Sequence, residues 1–311
     1  MSEFSATESA GPHAAQPTLS LAAAASDWYE SAARELPWRE PGTTPWGVVV
    51  SEIMLQQTPV GRVAPAWRDW MARWPTPAAM ASDPDQPAAA IRMWGRLGYP
   101  RRALRLHEIA TTVVDRHGGE IPADLDDLLA LPGVGSYTAR AVAAFAFGQR
   151  HPVVDTNVRR FVARAVSGLA DAGPATTQRD LDAVEALLPA NPPDAARASI
   201  AFMELGAVVC VARSPRCGVC PVVTSCAWRL AGSPASAVPA PRAQTYAGTD
   251  RQVRGLLMAV LRDADVPVPA PALDTVWPDA AQRTRALAGL LADGLAIEPA
   301  PGHYTLPRTG A

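Results

Sequence analysis

Two sets of side chains in this sequence have the types and spacing to do chemistry. The first is four cysteines, Cys210, Cys217, Cys220 and Cys226, the chain's full complement, spaced C-x6-C-x2-C-x5-C. A disulfide scaffold would spread cysteines through a small secreted domain; four clustered in a chain of 311 residues indicate a metal site. Four thiolates bind either zinc or an iron–sulfur cluster. Structural zinc sites usually pair two close C-x2-C knuckles, and here there is one close pair in a compact loop. An iron–sulfur cluster is therefore favoured over zinc, with unligated core cysteines third. Arg213 and Arg216 lie within the first loop, where a cluster would hold them against phosphates.

The second set is the stretch Leu131 to Asn157, LPGVGSYTARAVAAFAFGQRHPVVDTN. A Pro-Gly-Val-Gly turn joins two helical patterns, 124–130 and 136–147, and the stretch ends on one carboxylate, Asp155, beside Thr156 and Asn157. Gly133 and Gly135 permit a tight turn and close approach of a partner. The amides that open the second helix form an anion site. Turn, helix start and acid together suggest a phosphate grip holding a catalytic carboxylate near a nucleic-acid backbone. The plainer reading of Asp155 is an N-cap for the following helix, and both roles can coexist.

These groups need a scaffold, and the patterning gives a helical one. Apolar periodicity predicts helices over 19–34, 46–57, 60–73, 87–94, 102–116, 156–166, 176–188 and 194–209, the last with Asp194 as N-cap. No sustained alternation occurs before residue 231, so the main domain is expected to be all-α. Residues 1–20 read as a disordered tail, 21–230 as the main domain with its cysteine loop at 210–226, and 231–245 as a Pro/Ala/Ser linker. Residues 246–311 offer three helices (251–262, 271–277, 280–292) and a hairpin (295–298 and 303–306), a small winged-helix-like α/β unit.

Net charge is −2, which argues against a general nucleic-acid coat but leaves room for local patches. No apolar run reaches membrane-spanning length and the N-terminus lacks a secretory pattern, so a cytoplasmic, DNA-associated protein without membrane partners is expected. All 28 basic residues are Arg, and the chain has no Lys. Lysine-mediated Schiff-base chemistry is thereby excluded.

With these motifs placed, residues 21–230 resemble the iron–sulfur DNA glycosylases of the helix-hairpin-helix superfamily, most of all the MutY adenine DNA glycosylases. LPGVGSYTA resembles that family's hairpin, VVDTNVRR its catalytic Asp segment, and SEIMLQQT (51–58) the segment that sets it apart from relatives. LPWR (36–39), MELG (203–206) and the Cys spacing also fit. The resemblance implies two helical subdomains with a 4Fe–4S loop and, at the hairpin, a bound monovalent cation. It implies a monomeric enzyme acting on double-stranded DNA that holds an A:8-oxoguanine or A:G mispair. The endonuclease III-like relatives place a nucleophilic Lys where this chain has Tyr137, so a monofunctional glycosylase is expected. A thymine-mismatch glycosylase, or a non-catalytic DNA-binding iron–sulfur protein, is the alternative.

Breaking the glycosidic bond of adenine calls for two carboxyl groups of different pKa. The resemblance makes Glu52 the general acid. Its surroundings, VVVSEIML, are apolar enough that burial should keep it protonated. Asp155 would stabilise the sugar cation, oriented by Asn157, with Tyr137 bonding into the same site. Gln57 matches the residue that fills the gap beside an extruded base. Arg34, Trp38, Arg39, Leu55 and Glu204 match pocket positions, and Gly133, Val134, Gly135 and Arg159, with Arg160, match backbone contacts.

The chain departs from the family twice. Its RLGYPRR segment (96–102) has Pro100 where a wedge Tyr usually stands, leaving Tyr99 as the substitute. Residues 246–311 are too few for the Nudix-like domain that reads 8-oxoguanine, so none is expected.

Overall fold

The computed structural model of the protein describes residues 16–173, 175–236 and 246–308. Most of the expected tail and much of the expected linker, residues 1–15 and 237–245, lie outside the described residues. Helices α1 to α5 span Gln16–Ala32, Pro45–Leu55, Val60–Arg73, Pro77–Ala81 and Ala88–Trp94. Helices α6 to α10 span Arg101–His117, Leu125–Ala130, Ser136–Phe147, Thr156–Ala165 and Gln178–Glu185. Then come α11 (Pro192–Val208), α12 (Ala227–Leu230), α13 (Asp250–Asp263), β1 (Val268–Pro269), α14 (Ala270–Asp274), α15 (Ala280–Ala292), β2 (Ile297–Ala300) and β3 (His303–Thr305).

The all-α expectation holds for the described residues before 231. Three local differences have simple causes. α4 is a five-residue turn, capped by Thr76 through the Ala79 amide at 3.1 Å, and too short to show a period. α11 starts at Pro192, earlier than 194, because two prolines preset its first turn. Asn191 is the N-cap, and Asp194 sits in the first turn, accepting from Asn191 Nδ2 at 2.8 Å. The hairpin lies at 297–300 and 303–305, because Leu295 and Ala296 are drawn into the core.

The chain divides into two compact units. One comprises the residues up to Arg34 with Ala143–Pro239. Its core joins α1, α9 and α11, with Phe161 stacked on Phe202 at 5.4 Å between centroids. The other comprises Glu35–Val142 with Ala240–Ala311. Within it α2 is buried on every side from Trp46 to Met54, as a helix apolar all round should be. Each of its large side chains contributes about 1.5–3 kcal/mol relative to exposure, so this helix is rigidly set.

The C-terminal part has winged-helix-like topology, α13-β1-α14-α15-β2-β3, with an antiparallel sheet in the order β1-β3-β2. Val268 pairs with Tyr304 and Ile297 with Thr305. Strand β1 adds to the expected three helices and hairpin; two residues carry no alternation to read. This part is not sealed on itself. Val253, Leu257, Leu261 and Leu290 share one core with Ala88 and Ile91 of α5.

Candidate functional site

Asp155 is the N-cap of α9. Its Oδ1 accepts from the amides of Asn157 (2.8 Å) and Val158 (2.7 Å), which α9 would otherwise leave unpaired. Its Oδ2 accepts from Asn157 Nδ2 at 2.7 Å. Burial nevertheless raises the Asp155 pKa above the usual carboxylate range, outweighing these donors and the nearby Arg160. Asn157 is held in turn: its Oδ1 accepts from Arg160 Nη2 at 2.8 Å. Arg160 also donates to the Gly206 and Cys210 carbonyls, both at 2.7 Å. Gly206 permits this approach, since a Cβ there would lie 2.5 Å from the Asn157 carbonyl oxygen. Asp155 and Asn157, expected together, are together. Arg159, expected at a phosphate, is not available. It is buried, bonded to Asp180 Oδ2 at 3.1 Å and to the Ala172 carbonyl at 2.7 Å, because it lies on the inner face of α9.

Glu52 sits in the buried stretch of α2 with only 6% exposure, as its apolar neighbours predict. One turn later α2 ends and the chain enters a loop in which Gln57 is exposed at φ +55°. Tyr99 is 47% exposed at φ +50°, and Pro100 caps α6. A left-handed backbone is uncommon for residues other than glycine, and is costly enough to need support.

Arg102 supplies that support, and sequence reasoning passed over it. The buried guanidinium donates to the carbonyls of Ile53 and Met54, both at 3.0 Å, and to that of Gln56. It also donates to Thr58 Oγ1 at 2.8 Å and to the Gly98 carbonyl at 2.9 Å. One side chain thus satisfies the C-terminal carbonyls of the Glu52 helix and ties together the Gln57 and Tyr99 loops. Burial pushes its pKa down to about 10.

In the hairpin, Asp124 caps α7 through the Asp126 and Asp127 amides. Gly133 has φ +65°, a backbone that favours glycine, while a Cβ there would meet only the flexible end of the Arg105 side chain. Gly135 has no such strain; it faces open space and leads into α8, while Val134 is buried. Tyr137 is half-buried on the first turn of α8.

Arg34 and Glu204, far apart in sequence, form a bidentate pair: Nε to Oε1 at 2.6 Å and Nη2 to Oε2 at 2.8 Å. Glu204 is fully buried, and its hydrogen bonds and charge hold the Arg34 pKa above its usual value. Trp38 and Arg39 lie in a single 3-10 turn, with Trp38 buried edge-on to Trp67 at 6.2 Å. Leu55 is half-buried at the end of α2.

All four cysteines are free thiols lining one cavity with Phe161, Arg164 and Val222. Among the described residues no three His, Cys, Asp or Glu side chains converge on a single-ion site. Four thiols lining one cavity are the donor set that an iron–sulfur cluster takes. Arg164 Nη1 lies 3.5 Å from Cys210 Sγ and also donates to the Val211 carbonyl at 2.8 Å, placing positive charge beside an anionic cluster. Burial raises the Cys210 thiol and pushes that of Cys220 up to about 11, a cost that metal ligation would offset. Arg216 folds back onto the Val208 carbonyl at 2.8 Å, while Arg213 is exposed.

Residues 50–186 match the model of the HhH-GPD superfamily base excision DNA repair proteins, and residues 210–226 that of the iron–sulfur binding domain of endonuclease III. The chain is 57% identical over 284 residues to an adenine DNA glycosylase of Mycobacterium tuberculosis, covering 91% of this chain and 92% of that one. The chain belongs to the adenine DNA glycosylase family. A second member, from Mycolicibacterium smegmatis, is 58% identical over 286 residues, covering 91% and 94% of the two chains. The fold is also that of a thermostable thymine-DNA glycosylase structure (TM-score 0.62, 24% identity, 70% of this chain and 98% of that one).

The iron–sulfur domain match and family membership give a 4Fe–4S cofactor, and the four cysteines that would hold it line one cavity. Purified protein is expected to be brown with broad visible absorbance, and Cys217→Ser to lose that absorbance. Colourless protein with stoichiometric zinc, measured by elemental analysis, would contradict the assignment.

Proposed function

We propose that the protein excises adenine from double-stranded DNA in base excision repair, hydrolysing the N-glycosidic bond where adenine is mispaired with 8-oxoguanine or guanine. It acts as a cytoplasmic monomer. The observation that carries this reading is similarity over nine-tenths of the chain to adenine DNA glycosylases. The site chemistry supports it.

Adenine is a poor leaving group until it is protonated. Glu52, the buried carboxyl of α2, donates a proton to N7 of the extruded base and then assists the attack of water. Asp155 stabilises the cationic sugar that remains, and Asn157 fixes its orientation through the 2.7 Å bond. Tyr137 bonds into this site. Arg34, Trp38, Arg39, Leu55 and Glu204 shape the base pocket, and Gln57, exposed on its strained turn, fills the space the base vacates. Gly133, Val134 and Gly135 hold the DNA backbone, with a monovalent cation at the hairpin carbonyls. The cluster, when bound, supplies iron–thiolate bonds that keep the loop 210–226 in shape. The chain has no Lys, so the product is an intact abasic site.

The test is a panel of duplexes carrying A:8-oxoguanine, A:G, T:G or thymine glycol, with strand scission read before and after alkali. Adenine release, with scission only after alkali, is expected. Release of thymine but not adenine would replace this reading with that of a thymine-mismatch enzyme.

A further inference from the structure

A cleft of about 830 Å³ lies within the second unit; of the site residues placed above, only those of the Tyr99 loop line it. One wall is the chain from Gly95 to Arg101; the other is α13 with the segment between Leu290 and Leu295. Five arginines line it against one carboxylate, Asp293. Asp293 is already engaged by Arg101, at 3.3 Å, and by Arg254. Arg262 is spent on the Gly95 carbonyl at 2.7 Å, and burial with the neighbouring Arg96 holds its pKa below the usual value. Arg96 and Arg251 are exposed, and among the described residues neither pairs with a carboxylate. In a protein of net charge −2 this is a local anion site.

The cleft also presents aromatic faces. Tyr99 is 47% exposed, and the Arg251 guanidinium stands 5.6 Å from its ring centroid. Tyr246 is 55% exposed, with its hydroxyl packed over Gly255, where a Cβ would lie 3.2 Å away. Exposed aromatic rings beside unpaired guanidinium groups are the combination that takes a base by stacking and its phosphates by charge. The volume falls within the ~300–1,000 Å³ range of small-ligand sites, which suits one unstacked nucleotide and is too small for a duplex.

We propose that this cleft binds one nucleotide of the DNA, its base against Tyr99 and its flanking phosphates on Arg96 and Arg251. The C-terminal unit is then a second DNA-binding element acting through α13. The proposal rests on DNA being the substrate, but not on which base is released.

The experiment uses the full-length, cluster-loaded protein and a duplex with one A:8-oxoguanine pair whose target sugar is 2′-fluorinated to block cleavage. Affinity is measured by fluorescence anisotropy across a salt series. Combined Arg96→Ala and Arg251→Ala is expected to flatten the slope of log affinity against log salt by about 2, one for each phosphate contact. Tyr99→Leu is expected to lose roughly tenfold in affinity with the slope unchanged. Arg285→Ala, outside the cleft, should alter neither. Wild-type affinity and slope in the double variant would overturn the proposal.

Hydrogen exchange on the unmutated protein gives a second readout. Protection of residues 246–262 by the duplex is expected, and its absence overturns the proposal whatever the variants do. Adenine release from the unfluorinated duplex is scored separately. Protection without release would sink the proposed activity and keep the cleft; release without protection would do the reverse.

Discussion

Asp155→Asn is expected to lower single-turnover adenine release by about 10²–10³-fold while leaving the protein as stable as before, or more so. The two effects come from the same carboxylate. Its negative charge is what the cationic sugar needs, and its oxygen is what the start of α9 needs. Asn keeps one oxygen to accept from the Asn157 and Val158 amides; it gives up the charge and the acceptor for Asn157 Nδ2, a single bond set against the removal of a buried charge. Burial raises the folded-state pKa of Asp155, so the folded protein holds this proton more tightly than the unfolded chain does. Stability therefore falls as pH rises through the unfolded pKa towards the raised folded one, and the deficit is complete above both. At neutral pH the substitution removes that deficit. Thermal melts should show Asn at or above wild type near pH 7, converging on it in acid. Asp155→Ala, which lacks the cap, should lose about 1 kcal/mol. The wild-type rate should fall in acid along a limb lying above the ordinary carboxylate range. Glu52→Gln is a near-isosteric change in a buried helix, so duplex affinity should survive while release drops about 10²–10⁴-fold. Wild-type rates in both variants would mean that neither carboxyl takes part.

Why some of this was legible in the sequence follows from how local each signal is. The cysteine ligands fall within seventeen residues, and their spacing alone separates a cluster loop from a zinc knuckle. The bounds of α3, Val60–Arg73, are readable because its apolar stripe is long and its start follows a proline. Asp155 as a cap is a matter of three neighbouring residues. Arg159 and Arg160 show the limit. They are adjacent on one helix, so a turn of about 100° sends the first to Asp180 and the second to Asn157 and Gly206. No pattern in VVDTNVRR distinguishes them. The sharing of one core by α13 and α5 is equally invisible, since it joins segments with some 160 residues between them and leaves no local period.

Arg102 is the sharpest case, and its loss should be the most damaging to the fold. In sequence it is one of two arginines opening an amphipathic helix, and Arg101 beside it is exposed. In the fold it donates to five oxygens: three carbonyls closing α2, the Thr58 hydroxyl and the Gly98 carbonyl. Its guanidinium also lies 5.1 Å from the Trp94 ring and 5.5 Å from that of Tyr99. Hydrogen bonds to a charged group contribute about 1.5–3 kcal/mol each but do not add, because the acceptors share one donor group. Removing the donor strands those acceptors in a buried setting, and a loss of about 3–5 kcal/mol is expected for Arg102→Met in urea unfolding. That is a large share of the ~5–15 kcal/mol that holds a typical domain together. Arg102→Lys should rescue little, since a single ammonium cannot span α2 and the Gly98 carbonyl as the forked guanidinium does. The loops bearing Gln57 and Tyr99 should loosen together, because this one side chain bonds to the residue that precedes each left-handed position. Under conditions where the variant remains folded, duplex affinity should therefore drop and hydrogen exchange should quicken in both loops at once. Faster exchange in one loop alone would show that the two are anchored independently, and that Arg102 is an ordinary helix cap.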